Sequence, residues 1–206
     1  MLNRFTAKFD FEHPMYGIFH EARKRNFPIK QYVIIKNSSR YFETIWKPVD
    51  ILIEESSDPY GWASEGIENS FVEFHFLLYQ LNIEGYSLSY PSGDDEIPRN
   101  WELRCFLGDK NFSIDKRLDD KTLCPNTAPY TFCGYNDQKY FQLSKSHTCN
   151  SLQITQIGPN NNGRHYFGLL GFEVFGNLEI PQCISFQIKY ICSNINIFYI
   201  YAFIIT

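Results

Sequence analysis

The stretch QIGPNNNGRHYFGLLGFEVFG, Gln156 to Gly176, gathers side chains that can do chemistry. Asn160, Asn161 and Asn162 supply amides, Arg164 a guanidinium, His165 an imidazole and Tyr166 a ring. Three uses compete for them. A phosphate cradle requires Gly-x-x-x-x-Gly-Lys-Ser/Thr between a strand and a helix. Here no Lys follows the glycines, and the next residues alternate as a strand, which excludes that use. A plain turn would need only the turn-formers. A ligand rim would need all of the groups: the ring lies on the apolar face of a sugar while amide, guanidinium and imidazole meet its hydroxyls. Asp58 and Tyr60, in SSDPYG, repeat that chemistry in a second turn-rich stretch. The candidate ligand-binding set is therefore Asp58, Tyr60, Asn160, Asn161, Asn162, Arg164, His165 and Tyr166. A glycan and a protein partner suit it equally.

The remaining reactive groups form no recognisable catalytic motif. His20, His75, His147 and His165 and the many serines lie outside any Gly-x-Ser-x-Gly elbow. His147 and Cys149, two apart in SHTCN, read as strand-edge residues. Asp94-Asp95-Glu96 and Asp119-Asp120 sit in turn-rich stretches and read as solvated surface. Glu54, Glu55 and Asp58 are the acids best placed to converge oxygens on a calcium ion, which needs several. Cys105, Cys124, Cys133, Cys149, Cys183 and Cys192 include no close pair of the zinc-binding kind. The chain reads as a non-enzyme with no metal and no cofactor.

Bulk properties narrow the partners. The formal net charge is -4, and the one basic run, Glu21 to Asn26, is short. A general nucleic-acid surface needs more clustered cations than that. No apolar run reaches the ~20 residues of a membrane span, and INIFYIYAFIIT at the end comes nearest. The first residues, MLNRFTAKFDFEHP, have no signal-peptide pattern. The expectation is an intracellular chain with free thiols, with an extracellular one as the alternative. If thiols pair, Cys124 and Cys133 are spaced to close a loop. The sequons Asn37-Ser38-Ser39 and Asn111-Phe112-Ser113 matter only for a secreted chain.

These groups must be held by strands. Met15, Ile18, Phe19 and Ala22 make a helical stripe, with Pro14 in its first turn and Asn26-Phe27-Pro28 as its stop, which predicts a helix over Met15 to Arg25. Beyond Phe27 the period changes to two. QYVIIKN reads as a strand. SFVEFHFLL sets Val72, Phe74 and Phe76 against Glu73 and His75. EGYSLSY sets Tyr86, Leu88 and Tyr90 against Ser87 and Ser89. NWELRCFLG sets Trp101, Leu103 and Cys105 against Glu102 and Arg104. YFQLS, SLQITQIG and LLGFEVFG follow, with turn-rich separators between strands. Aromatic enrichment at 17% agrees with strands. The fold class is all-β: an antiparallel β-sandwich or jelly roll with a short N-terminal helix. The expected division is a helical lead-in over 1–26, the sandwich over 27–178 and an apolar C-terminal extension over 179–206.

In chain order, Trp62-Ala63-Ser64 before a strand, Trp101 opening a strand that leads to Gly108-Asp109, and a closing segment with Glu173 and Gly176 are similar to the blocks of the discoidin family. The resemblance covers about Phe27 to Leu178, and the closing block resembles divergent protist members. It implies a galactose-binding-like sandwich like the coagulation-factor-type C domains, a closing β-hairpin, and ligand loops at the end opposite the chain termini. EESSDPYGW stands where the family has Asp-Gly, which weakens the carry-over of a calcium site or of a specific sugar contact. What the resemblance implies for function is a module that recognises a carbohydrate through rim loops, with an intracellular protein-interaction module as the alternative.

Overall fold

The alternating runs form strands, and their apolar faces meet. The computed structural model describes residues 4–41, 47–54, 61–90, 97–120 and 138–181. Its elements are β1 (Phe5–Ala7), α1 (Ile18–Lys24), β2 (Val33–Asn37), β3 (Trp62–Ala63), β4 (Phe71–Phe76), β5 (Gln80–Ser89), β6 (Trp101–Leu107), β7 (Lys110–Arg117), β8 (Gln138–Cys149), β9 (Ser151–Gln156), β10 (Gly168–Leu169) and β11 (Gly171–Glu179). One sheet has the order β1-β11-β5-β8 and the other β2-β4-β9-β6-β7, while β10 pairs with β3. All pairs are antiparallel. The all-β sandwich expected from the alternation is what the chain forms.

Aromatic side chains fill the space between the sheets. Phe172 of β11 stacks on Phe74 of β4 at 4.5 Å, and Trp101 of β6 meets Phe141 of β8 edge-on at 5.3 Å. The Trp101 indole N–H donates to the Tyr86 hydroxyl at 2.9 Å, and that hydroxyl donates to Asp115 at 2.6 Å. A buried ring thus keeps its polar atom satisfied. Burial, reinforced by the Asp115 charge, holds the Tyr86 pKa well above its ordinary value.

Cys105 of β6 and Cys149 of β8 form a disulfide between the two sheets. This corrects the expectation of free thiols for that pair. The two residues lie 44 positions apart, so no local spacing announces them. Closing a loop of that length stabilises by about 4 kcal/mol in the chain-entropy account. Cys124, Cys133, Cys183 and Cys192 lie outside the described residues.

The lead-in is part of the sandwich. Phe5 of β1 pairs opposite Leu178 of β11. Beside the stretch of β11 that β1 leaves unpaired, α1 buries Ile18, Phe19 and Ala22 completely. Phe19 lies 5.9 Å from Phe74 in the opposite sheet, so α1 closes that side of the core. The helix begins at Ile18, after a Gly17 cap, and not at Met15. The reason is Glu173: its carboxylate accepts the Phe19 and His20 backbone N–H groups at 2.9 and 2.8 Å and pins the first turn there. Asn26, at φ +53, ends the helix as the sequence implies.

Glu173 also explains why alternation misreads β5 and β11. β11 is buried on both faces over most of its length, and β5 over its second half, Gly85 to Ser89, Ser87 and Ser89 included. Glu173 sits opposite Ser87, under α1. Arg23 donates to Glu173 at 3.1 Å and to the Ile53 carbonyl, tying in the Val49–Ile53 turn. Glu173 is fully buried, and that burial pushes its pKa up to about 8 against the pull of Arg23 and the two N–H donors. A folded-state pKa above the unfolded value makes this contribution complete below about pH 4.5 and lost as pH rises through about 8. Urea unfolding of the wild type and Glu173→Gln across pH 5–8 checks this. The wild type should lose stability relative to the variant as pH rises, whereas parallel curves would contradict it.

Candidate functional site

β3 and β10 hold the end of the sandwich where the candidate residues gather. Ser64 N–H donates to the Phe167 carbonyl at 3.0 Å, and Phe167 N–H donates to the Ser64 hydroxyl at 3.0 Å. Trp62 lies edge-on to Phe167 at 5.9 Å and is fully buried. Gly61 passes so close to the Leu169 carbonyl that any Cβ would collide with it. The Trp62-Ala63-Ser64 motif is thus a clamp on the segment that follows the candidate loop.

The expected closing hairpin is absent. β9 lies in the five-stranded sheet and β11 in the four-stranded one, so the segment 157–170 crosses between sheets. Its pairing partner is β3, which draws the chain across. β11 starts at this end and finishes beside β1, so the crossing lies opposite the N-terminal strand, where the resemblance implies ligand loops.

Asn160 organises the crossing. It is 3% exposed. Its side-chain oxygen accepts the Asn162 and Arg164 N–H groups at 3.1 and 2.9 Å, and its side-chain nitrogen donates to the Tyr166 carbonyl at 3.1 Å. Gly163 N–H returns to the Asn160 carbonyl at 3.1 Å, with Gly163 at φ +74, where only glycine is comfortable. The neighbouring loop is tied in as well. Ile157 N–H donates to the Asn100 carbonyl, Asn161 N–H donates to the Ile97 carbonyl, and the Asn100 side chain donates to the Pro159 carbonyl at 2.7 Å.

What this framework presents is a small aromatic and charged rim. Tyr166 is half-buried, with one side packed on Gly66, where an added Cβ would lie 3.2 Å from the ring. Tyr41 meets it edge-on at 5.4 Å. Tyr41 is itself placed by its N–H donating to the Ala63 carbonyl at 2.9 Å. Arg164 is exposed, and His165 Nε2 lies 3.6 Å from the Glu68 carboxylate. The rim therefore brings together Arg164, His165 and Tyr166 from the expected set and adds Tyr41, Gly66 and Glu68. No sequence motif singles out those three, because they come from two turns far away in the chain. Asp58 and Tyr60 lie outside the described residues, as do Glu55 of the acidic cluster and Asp94-Asp95-Glu96. Glu54 pairs with Lys30. Among the described residues no three His, Cys, Asp or Glu side chains converge as a metal site would require.

No family model matches the sequence, and no curated protein matches it. Solved structures do match in fold. The family 32 carbohydrate-binding module of NanJ from C. perfringens, in complex with galactose, aligns with a TM-score of 0.53 and 9% identity over 73% of this chain and 96% of that one. A Clostridium perfringens module in complex with GalNAc-β-1,3-galactose aligns at 0.52 and 10% identity over 70% and 95%. A fucolectin from striped bass serum aligns at 0.50 and 12% identity over 72% and 48%. The chain adopts the galactose-binding-like β-sandwich fold. No described helix is long and apolar enough to cross a membrane.

Replacing Asn160 tests the framework. Asn160→Ala strips two backbone N–H groups of their acceptor and should cost about 1–3 kcal/mol in urea unfolding. Asn160→Asp retains the acceptor and should cost less. Equal stability of Asn160→Ala and wild type would remove Asn160 from this role.

Proposed function

We propose that this sandwich is a non-enzymatic carbohydrate-binding module that takes a sugar at the rim built from Tyr166, Arg164, His165, Tyr41 and Glu68. The observation that carries the reading is Tyr166, a ring seated on Gly66 and preceded in sequence by Arg164 and His165 on a loop fixed from within. The aromatic face would cover the C–H side of a pyranose. Arg164 supplies donors to ring hydroxyls, and the His165–Glu68 pair offers a donor and an acceptor side by side. Asn161 and Asn162 lie half-buried on the same loop and complete the candidate contacts, whereas Asn160 positions the loop. Asp58 and Tyr60 belong to the proposal through their place in the chain just before Gly61, whose carbonyl accepts the Lys47 N–H.

Two of the fold neighbours hold galactose or a galactose-containing disaccharide, which makes a terminal galactose or N-acetylgalactosamine the first ligand to test. The intracellular protein-interaction alternative rests on the absent signal-peptide pattern, six cysteines without a pattern and the apolar tail, and the Cys105–Cys149 bond weakens the second of these. A site of this kind needs no cofactor.

Titration calorimetry with galactose and GalNAc-β-1,3-galactose tests the reading. Wild type should bind. Tyr166→Ala should weaken binding about tenfold, the worth of one aromatic contact of ~1.5 kcal/mol. Tyr166→Phe should retain most affinity, and both variants should keep the wild-type melting temperature. Undiminished binding by a folded Tyr166→Ala, or no binding by wild type to any glycan on an array, would overturn it.

A further inference from the structure

The Cys105–Cys149 disulfide and the placement of one sequon point to a covalent modification. Both cysteines are fully buried between the sheets. A disulfide so enclosed forms while the chain folds, in a compartment that oxidises thiols. Among such compartments, the lumen of the endoplasmic reticulum also carries the machinery for N-linked glycosylation. Asn111-Phe112-Ser113 lies on β7, which among the described residues pairs with β6 alone and is the edge strand of the five-stranded sheet. The alternation of β7 leaves Asn111 and Ser113 exposed and turns Phe112 toward the core.

The amide is oriented for the purpose. Arg104, a donor only, gives a hydrogen bond to Asn111 Oδ1 at 2.8 Å. That fixes the amide oxygen against the sheet and leaves the nitrogen, the atom a glycan would bond to, on the other side of the amide. The second sequon contrasts with it. Asn37 is half-buried, and its Nδ2 already donates to the Ser39 carbonyl at 2.6 Å.

We propose that Asn111 carries an N-linked glycan. The amide nitrogen of Asn111 bonds to the anomeric carbon of a lipid-pyrophosphate-linked oligosaccharide. The bond from that carbon to the pyrophosphate oxygen breaks, the lipid pyrophosphate leaves, and the amide nitrogen gives up one proton, with no change of oxidation state. The glycan shields the outer edge of β7, which no described strand pairs with and which would template pairing with another chain if left open. It also lies beside Phe106, half-exposed and directly opposite Asn111. Asn111 follows the Gly108-Asp109 turn, whereas the rim lies beyond the Trp101 end of β6, about 20 Å away at ~3.3 Å per strand residue. The glycan therefore leaves the rim open, and this inference does not depend on what the rim binds.

The test uses the full chain isolated from the cells that make it, alkylated at lysis, treated or not with the glycosidase while still intact, and only then digested with trypsin, because cleavage after Lys110 leaves Asn111 at a peptide N-terminus where that enzyme does not act. The peptide Asn111–Lys116 should be missing before treatment with peptide-N-glycosidase in heavy-oxygen water. After treatment it should appear with Asn111 converted to heavy-oxygen-labelled Asp. Cys105 and Cys149 should resist alkylation until reduction. Recovery of the unmodified Asn111 peptide from untreated protein as the main species would overturn the proposal, and so would alkylation of Cys105 and Cys149 without reduction.

Discussion

Two hydrogen bonds between Ser64 and Phe167 fasten the point where the chain leaves one sheet for the other. A sandwich whose strands β9 and β11 lie in different sheets, with the two-residue β10 between them, must carry its connecting segment across an open end of the core. Left alone, that segment would expose backbone groups with no ladder to join. The short β3–β10 pair supplies the ladder, and Trp62 and Phe167 seal the core beneath it. The candidate rim exists because of this closure. Tyr41 is hung from Ala63, Gly66 follows Ser64 by two positions, and Tyr166 immediately precedes Phe167. The three meet because the same strip of backbone holds all of them.

The rest of the molecule keeps that end rigid. Glu173 fixes α1 against β11 through two backbone N–H groups and Arg23, and Arg23 reaches on to Ile53. Met15, just before the helix, packs on Gly171 at the start of β11. A buried carboxylate is an expensive anchor, and its raised pKa is the sign of that cost. The Cys105–Cys149 bond fastens the two sheets at the far end of β6. Rim side chains therefore stand on a framework fixed at both ends, which suits a site that must bind without first ordering itself.

Much of this was legible in the sequence. Val72, Phe74 and Phe76, and Trp101, Leu103 and Cys105, alternate as strands with one buried face, and the structure buries those residues. Alternation misreads β11 because a helix and a turn, far off in sequence, pack on its second face, so Glu173 looks like a surface residue and is not, and Ser87, opposite it on β5, is buried with it. The closing segment reads as a hairpin because local pattern says nothing about which sheet a strand joins. The disulfide was hidden by its separation of 44 residues. Asn160 looked like a ligand group because its residue type suits both roles, and only the geometry separates an amide that holds a loop from one that faces a ligand.

The central claim is that the crossing segment and the turn after Ser64 form one carbohydrate-binding rim. The most direct measurement is a nuclear magnetic resonance titration of the isotopically labelled chain with GalNAc-β-1,3-galactose. Shift changes concentrated at Tyr41, Glu65 to Glu68 and Asn161 to Tyr166 are the result this account predicts. Saturable changes confined to the exposed face of the five-stranded sheet, with the rim unmoved, would contradict it.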